Sequence, residues 1–401
     1  MELKPDTKES RFHPETGEDP AGIYAHIPFC QSKCPYCSFV SYQGMNLSVK
    51  NNYMQALKRQ AQAMAGHPWS KGRTFHSLFI GGGTPSSVDS EKTAAFIRAC
   101  LEAYDITAPP GKKPEVTLEA NPNSLNGDRL DRFRQAGVNR LSIGIQSFSD
   151  AMLKNIGRTH TAREGVNAFE SARAAGFKNI NLDLMYGLPG QDSAKWEKTL
   201  QQAVALAPEH LSVYELTIER DTPFAELVRR KRLDLPHEDV TLSMFEQARE
   251  ILAVNGYRHY EISNYARNGF ACIHNINYWE NGSYVGLGGG AVSCFSGVRI
   301  KSEENTVRFI QMIDTGRMPF KEAEFLPLCA RFRETVIMGL RMTAGVSNSR
   351  LEKRFGLTPQ IYYGETLNRL LSQELLEEGE GRLRLTHKGL LLANSVMAQL
   401  V

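Results

Sequence analysis

Residues 25–39 read AHIPFCQSKCPYCSF, and they put Cys30, Cys34 and Cys37 within one short loop of a chain that has 7 cysteines in all. Thiolates this close in sequence suit a soft metal or an iron–sulfur cluster. Zinc would need a fourth ligand and more often takes CxxC pairs. Here the spacing is CxxxCxxC, and no fourth cysteine follows nearby. His26 precedes the group but falls in the strand-like run AGIYAHI. Three cysteines on a four-iron cube leave one iron without a protein ligand, open to bind and activate a small molecule. The spacing therefore predicts a reactive cluster rather than an electron store; a zinc knuckle or a disulfide is the alternative. Cys100 and Cys329 fit apolar helix faces and are expected to be inert core thiols. Cys272 and Cys294 lie nearer the chemistry and stay open.

Length and composition bound the rest. A chain of 401 residues predicts one large domain plus a smaller one, and an apolar fraction of 41% supports a sizeable core. A formal net charge of +3 is too weak to argue for nucleic acid or a membrane surface. Residues 1–20 are polar and charged, without the apolar stretch of a signal peptide, and are expected to be loosely attached. No apolar run approaches membrane-spanning length, so the cysteines are expected in a reducing cytoplasm.

Outward from the cysteines, strands and helices alternate. A buried strand at Ala21–Ile27 ends at Pro28, and a helical pattern over 49–65 closes at Gly66 and Pro68. A second strand, 75–80, opens into Gly81, Gly82, Gly83, Thr84 and Pro85, where backbone amides could approach a ligand closely; an ordinary tight turn is the alternative. The third strand, in EVTLEANP, puts Glu119 at its C-terminal end, where a carboxylate can accept hydrogen bonds from ribose hydroxyls or serve as a cap. RLSIGIQS follows with Gln146 near its end. Arg158, in NIGRTH, taken alone reads as a surface salt bridge. KNINLDLMYGLPGQ holds Asp183, and HLSVYELTIE holds Thr217. Six such units predict a parallel α/β arrangement with its candidate residues on the C-terminal face. Six are too few to close an eight-stranded barrel, so the expected fold is α/β, a partial (β/α)6 barrel open at one side to a large substrate.

Beyond Asp221 the alternation weakens. YRHYEISNYA is expected as a strand on the barrel's flank. In ACIHNINYWENGSYVGLGGGAVSC, His274, Asn275, Tyr278 and Trp279 precede a glycine-rich turn at 286–290. A histidine beside aromatics can ligate heme iron while the rings pack on the porphyrin; a structural tryptophan with a bonded histidine is the alternative. Three helices, a small strand in GRLRLTHKG and a last helix over 388–399 predict a winged-helix-like unit. Its acids Glu374, Glu377, Glu378 and Glu380 repel phosphate, so a lid or docking role over the barrel opening is expected rather than nucleic-acid binding. The expected organisation is thus 1–20 flexible, 21–240 barrel, 241–320 flank and connector, and 321–401 C-terminal domain.

The CxxxCxxC loop after its YxHIPFC lead-in resembles the radical S-adenosylmethionine (SAM) superfamily. From about Gly22 to the C-terminus the chain is similar to the branch containing oxygen-independent coproporphyrinogen III oxidases and HemW heme chaperones. In that superfamily the SAM amino and carboxylate groups chelate the open iron, and electron transfer splits SAM into methionine and a 5′-deoxyadenosyl radical. The resemblance implies a 4Fe-4S cluster on Cys30, Cys34 and Cys37, with Tyr24 and Tyr36 bordering cluster and SAM. It implies SAM contacts at Gly82, Gly83 and Thr84 of GGGTP, at Glu119 of the E-x-N-P segment, and at Gln146, Arg158, Asp183 and Thr217. The HNxxYW phrase resembles HemW proteins and differs from the oxidases. Those also carry a further cysteine where Phe39 stands here, and a longer N-terminal arm. The implied function is a heme chaperone with His274, Tyr278 and Trp279 as heme contacts. Its implied partners are a heme acceptor, which could be a membrane heme protein, and an electron donor such as flavodoxin or ferredoxin. The alternatives are a radical SAM enzyme acting on a porphyrinogen, a related methyltransferase, or a cluster-bearing binding protein that does not turn over SAM.

Overall fold

The computed structural model describes residues 20–108 and 113–401, so the expected N-terminal segment lies outside the described residues except for Pro20. Six strands form the centre: β1 (Ala21–Ile27), β2 (Thr74–Gly82), β3 (Glu115–Ala120), β4 (Arg140–Gln146), β5 (Ile180–Tyr186) and β6 (His210–Glu215). They pair in parallel, in sequence order. Runs such as AGIYAHI and RLSIGIQ are buried along nearly their whole length, as strands covered on both faces must be. The connecting helices begin where a side chain can take an orphan backbone N–H. Asn46, Asp89, Asn126, Thr161 and Asp192 each cap one, worth about 1 kcal/mol apiece. Asn46 starts the first helix at Leu47, two residues before the apolar periodicity begins.

The sheet continues past both ends of this array, to 13 strands among the described residues. Next to β6 lies the hairpin Arg258–Glu261 and Asn264–Ala266, antiparallel where one strand was expected. Glu261, buried at the turn, takes bonds from Ser263 N–H and the Asn264 side chain, which reverses the chain there. Beside β1, Tyr284–Leu287 adds a further parallel strand, followed by antiparallel Val292–Phe295, Val298–Ser302 and Phe320–Phe325. The expected glycine turn at 286–290 is therefore half strand. A Cβ on Gly286 would lie 2.1 Å from Val292 O, so glycine there permits a close crossing of strands. The expected boundary at 320/321 likewise falls at the start of a strand of the large sheet. Among the described residues the two outer strands do not pair with each other, leaving the barrel open.

A second core begins at Cys329 and includes Phe332, Leu351, Phe355, Leu367, Leu383 and Val396. It joins helices Leu328–Gly339, Asn348–Phe355, Pro359–Tyr363 and Glu365–Ser372 to a three-stranded sheet in which Arg382–Leu385 is central. Two expected helices are broken. Gly364, at φ +52°, splits one, and residues 376–379 of the same stretch are strand. The last helix is interrupted at Leu392, giving His387–Leu391 and Ala393–Ala398. Backbone bonds tie this unit to the hairpin of the large sheet, Ile262 N to Arg341 O at 3.0 Å and Thr343 N to Tyr260 O at 3.1 Å.

Candidate functional site

The loop between β1 and the first helix presents Cys30, Cys34 and Cys37 as free, partly accessible thiols. Its base is braced by the glycine run after β2. Gly83 N–H donates to Ile27 O (2.9 Å) and Thr84 N–H to Phe29 O (2.8 Å), while Gly82 N–H donates to Glu119 Oε2 (3.1 Å). The three amides expected to meet a ligand are thus bonded within the protein. A Cβ at Gly83 would lie 2.7 Å from Phe29 O, so the glycine is needed for the strand end and the loop to touch. Thr84 Oγ1 stands 3.8 Å from Cys30 Sγ, and Arg158 Nη1 stands 3.7 Å from Cys34 Sγ. Burial pushes the Cys30 and Cys37 thiols up, and the neighbouring thiols add to this by charge repulsion. Thiols that resist ionising alone yet share one loop fit iron ligation, since coordination deprotonates them outright. Among the described residues no three His, Cys, Asp or Glu gather as a single metal ion requires. A four-iron cube, in which each thiolate meets a different iron, takes a wider triangle.

Beside this loop a cavity of about 330 Å³ opens along the central strands, with Tyr24, Phe79, Glu119, Arg140, Asp183 and His274 in its wall. Glu119 is raised to about 8, first by burial and then by the charge of Asp183. Asp183 is raised by burial and held back by hydrogen bonds from Ser212, Asn181 and Ser142; Asn181 Nδ2 lies at 2.8 Å and Ser142 Oγ at 3.1 Å. Two buried acids facing one space fit a ligand that brings positive charge and hydroxyl groups, and SAM has a sulfonium, an ammonium and a ribose diol. Ser142, Asn181, Ser212 and Tyr214 also line the cavity and escaped the sequence reading. Their signal was a polar residue inside an otherwise apolar buried strand, as in RLSIGIQ and INLDLMY.

Other expected residues gather around Gly144. A Cβ there would meet Gln146 Nε2, Arg158 Nη2 and Asn121 Oδ1 at 3.1 to 3.3 Å, so its absence makes a polar cradle. Gln146 ends β4 at φ +63° after a register shift, a backbone conformation that costs on the order of 1–3 kcal/mol and gathers at functional sites. Arg158 joins the ends of β3 and β4 through Asn121 Oδ1 (2.6 Å) and Gly144 O (2.7 Å) rather than forming a surface salt bridge. Tyr24 OH bonds His26 Nδ1 at 2.9 Å. Tyr36 meets the Cys34 side chain of the cluster loop and packs with Met152, Ile156 and Phe224, so it borders the cysteines and not the cavity. Thr217 lies beyond β6, exposed. The strand stops at Glu215 because its neighbour β5 stops at Tyr186, leaving nothing to pair with.

The HNxxYW phrase forms a short helix, Ile273–Trp279. Glu115 at the start of β3 holds its N-terminus, accepting from Ile273 N–H (3.0 Å), His274 N–H (3.1 Å) and Cys272 Sγ (3.2 Å). His274 is 1% exposed, stacks on Phe79 at 5.0 Å and pairs with Ser77 Oγ through Nδ1 at 2.9 Å. Its Nε2 is buried without a partner. Burial, with His76 and Arg140, pushes it down to about 3, so the ring is neutral. Trp279 stacks under the Arg341 guanidinium at 4.5 Å. A second cavity, about 1050 Å³, lies between the barrel and the C-terminal unit, with Trp279, Arg341 and the break at Leu392 in its wall. Asn275 and Tyr278 line both cavities, whereas His274 lines the smaller and Trp279 the larger. The three expected heme contacts are thus divided across one helix.

A cysteine loop of this spacing at the C-terminal face of an open parallel barrel defines a radical SAM protein. The model of the Radical SAM superfamily matches residues 24–203, and that of the HemN C-terminal domain matches 326–392. The heme chaperone HemW of Bacillus subtilis is 36% identical over 377 residues, 93% of this chain and 97% of that protein. The Escherichia coli heme chaperone HemW is 40% identical over 272 residues, 68% of this chain and 69% of that one. A mitochondrial radical S-adenosyl methionine domain-containing protein 1 of Bos taurus is 33% identical over 393 residues, 94% and 85% of the two chains. The solved coproporphyrinogen III oxidase (HemN) of Escherichia coli shares the fold, with a TM-score of 0.80 over 96% of this chain and 90% of that one at 23% identity. The chain belongs to the HemW family of radical SAM proteins.

Proposed function

We propose that this protein is a heme chaperone that holds a 4Fe-4S cluster on Cys30, Cys34 and Cys37, binds SAM beside it, and carries heme to an acceptor protein. The observation that carries the reading is the helix Ile273–Trp279 with its faces on two cavities of unequal size. The smaller suits SAM, with Glu119 and Asp183 for its positive and hydroxyl groups. Gln146, Arg158 and the cradle at Gly144 support its polar end, and Gly82, Gly83 and Thr84 brace the cluster loop beneath it. The larger suits a broad planar tetrapyrrole, with Tyr278 and Trp279 as aromatic contacts and Thr217 on its rim. His274 lines the smaller cavity and meets the Tyr278 ring edge-on at 5.0 Å, so its proposed part in heme binding is to hold Tyr278 against the tetrapyrrole rather than to ligate the iron, with Ser77 fixing its ring through Nδ1. When bound, the cluster and SAM supply one-electron chemistry; the chain's own residues position them and exclude water. An electron donor such as flavodoxin or ferredoxin would serve the cluster. Seven free thiols suit a reducing compartment such as the cytoplasm, and among the described residues no helix is long and apolar enough to cross a membrane.

The oxidase reading is disfavoured by Phe39, which stands 69% exposed at the smaller cavity where the oxidases carry a cysteine. The test is anaerobic reconstitution, heme titration, and an assay of coproporphyrinogen III conversion with SAM and a reductant. A heme spectrum that is weakened in Trp279→Ala, with no conversion, is expected. Conversion without heme affinity would overturn the reading.

A further inference from the structure

The larger cavity has a lopsided charge pattern. Glu215, Glu219, Glu238 and Glu261 are in its wall, and Arg341 is its one cation among the described residues. Arg341 acts on Glu261, a carboxyl that burial raises and the Arg341 charge draws back down. Its guanidinium lies 4.5 Å over the Trp279 ring, and its Nε is buried without a hydrogen-bond partner. Its own backbone is pinned by Ile262 N–H at 3.0 Å. Glu261 takes its hydrogen bonds from Ser263 N–H and the Asn264 side chain rather than from Arg341. A planar guanidinium stacked on an indole in the wall of the cavity is placed to meet a carboxylate.

Building on the heme reading, we propose that Arg341 receives the propionate edge of the tetrapyrrole, and that the glutamates of the same cavity reject tetrapyrroles with carboxylates around the whole rim. Heme has its two propionates side by side on one edge, so a single cation can serve both. A coproporphyrin-type ring has four, spread around the macrocycle, and at least one would face an acid. Like charges brought together away from water disfavour the wrong ligand more than they weaken the right one. The cavity would therefore select by the placement of acids on the ring, independently of the chemistry at the cluster.

The full-length protein, with its cluster reconstituted, is titrated anaerobically with iron protoporphyrin IX, its dimethyl ester and iron coproporphyrin III, and binding is read from the porphyrin absorbance. The wild type is expected to prefer the free acid over the ester by roughly tenfold to a hundredfold, as loss of a charge-assisted hydrogen bond implies. Arg341→Gln should erase that preference and Arg341→Lys keep part of it, both with an unchanged cluster spectrum and melting temperature. Glu215→Gln combined with Glu238→Gln should raise the relative affinity for iron coproporphyrin III. An acid-over-ester preference that survives Arg341→Gln overturns the proposal, as does an equal loss for acid and ester, which would mean that Arg341 only steadies Trp279. Should the wild type take up none of the three porphyrins, the heme reading itself falls and this one with it.

Discussion

The two cavities differ in what holds them. The smaller is lined by residues along neighbouring strands of one sheet, so backbone ladders set its walls, and Ser142, Asn181 and Asp183 are already hydrogen-bonded to one another. The larger is closed on one side by the C-terminal unit, which has a separate core and meets the barrel through backbone bonds and partly exposed ion pairs such as Arg299–Glu334 and Arg350–Glu280. A site set by ladders is prepared before its ligand arrives. A site shared between two cores can widen or close at the cost of only the contacts between them. That is a suitable division for a protein that retains one ligand and hands over another.

The largest expected effect lies at the cluster. Replacing Cys34 with alanine should remove reconstituted iron and its visible absorbance altogether, whereas Trp279→Ala should leave both intact; iron retained without the three thiols would break the comparison. Next come paired substitutions, one for each cavity. Leu383→Ala, in the C-terminal core, should cost that unit about 2–5 kcal/mol and weaken heme binding while SAM binding stands. Asp183→Asn should weaken SAM roughly tenfold or more and spare heme; isothermal titration of both ligands against both variants reads this directly. Equal losses would mean that the two cavities form one cooperative site.

The smallest effect is a pH dependence. Glu119 in the folded protein is raised from the ordinary carboxylate value to about 8. The folded state therefore holds a proton that the unfolded state has released between about pH 4.5 and 8. Stability from this group falls as pH rises through that window and levels off above it. A cationic ligand favours the ionised acid, so SAM affinity should climb as pH approaches 8, by at most about tenfold per unit. Affinity measured across pH 6.5–8.5 checks this, and Glu119→Gln should flatten the curve.

The six central strands were legible because each is an apolar run long enough to be buried on both faces, with a capped helix between. The flanks of the sheet were legible only in part. The strand expected over YRHYEISNYA is two, divided by a turn that Glu261 stabilises, and Val292–Phe295 is a four-residue strand whose extended form comes from its partners rather than from its own periodicity. Thr217 was read into β6 because the apolar alternation continues past Glu215, and nothing local announces that β5 has ended. The cysteine loop and the acids at strand ends were readable from residue type and spacing. The division of the HNxxYW residues between two cavities was not, because it depends on where a distant unit packs.

One short strand links the two halves. Glu115 and Glu119 sit at either end of β3, four residues apart and so on the same face. One clamps the beginning of the helix Ile273–Trp279, and the other stands in the SAM-sized cavity. Flanking strands keep β3 from sliding, so it acts as a stiff strut about 13 Å long. The same strand therefore fixes the position of both the aromatic helix and the carboxylate, with no loop in between.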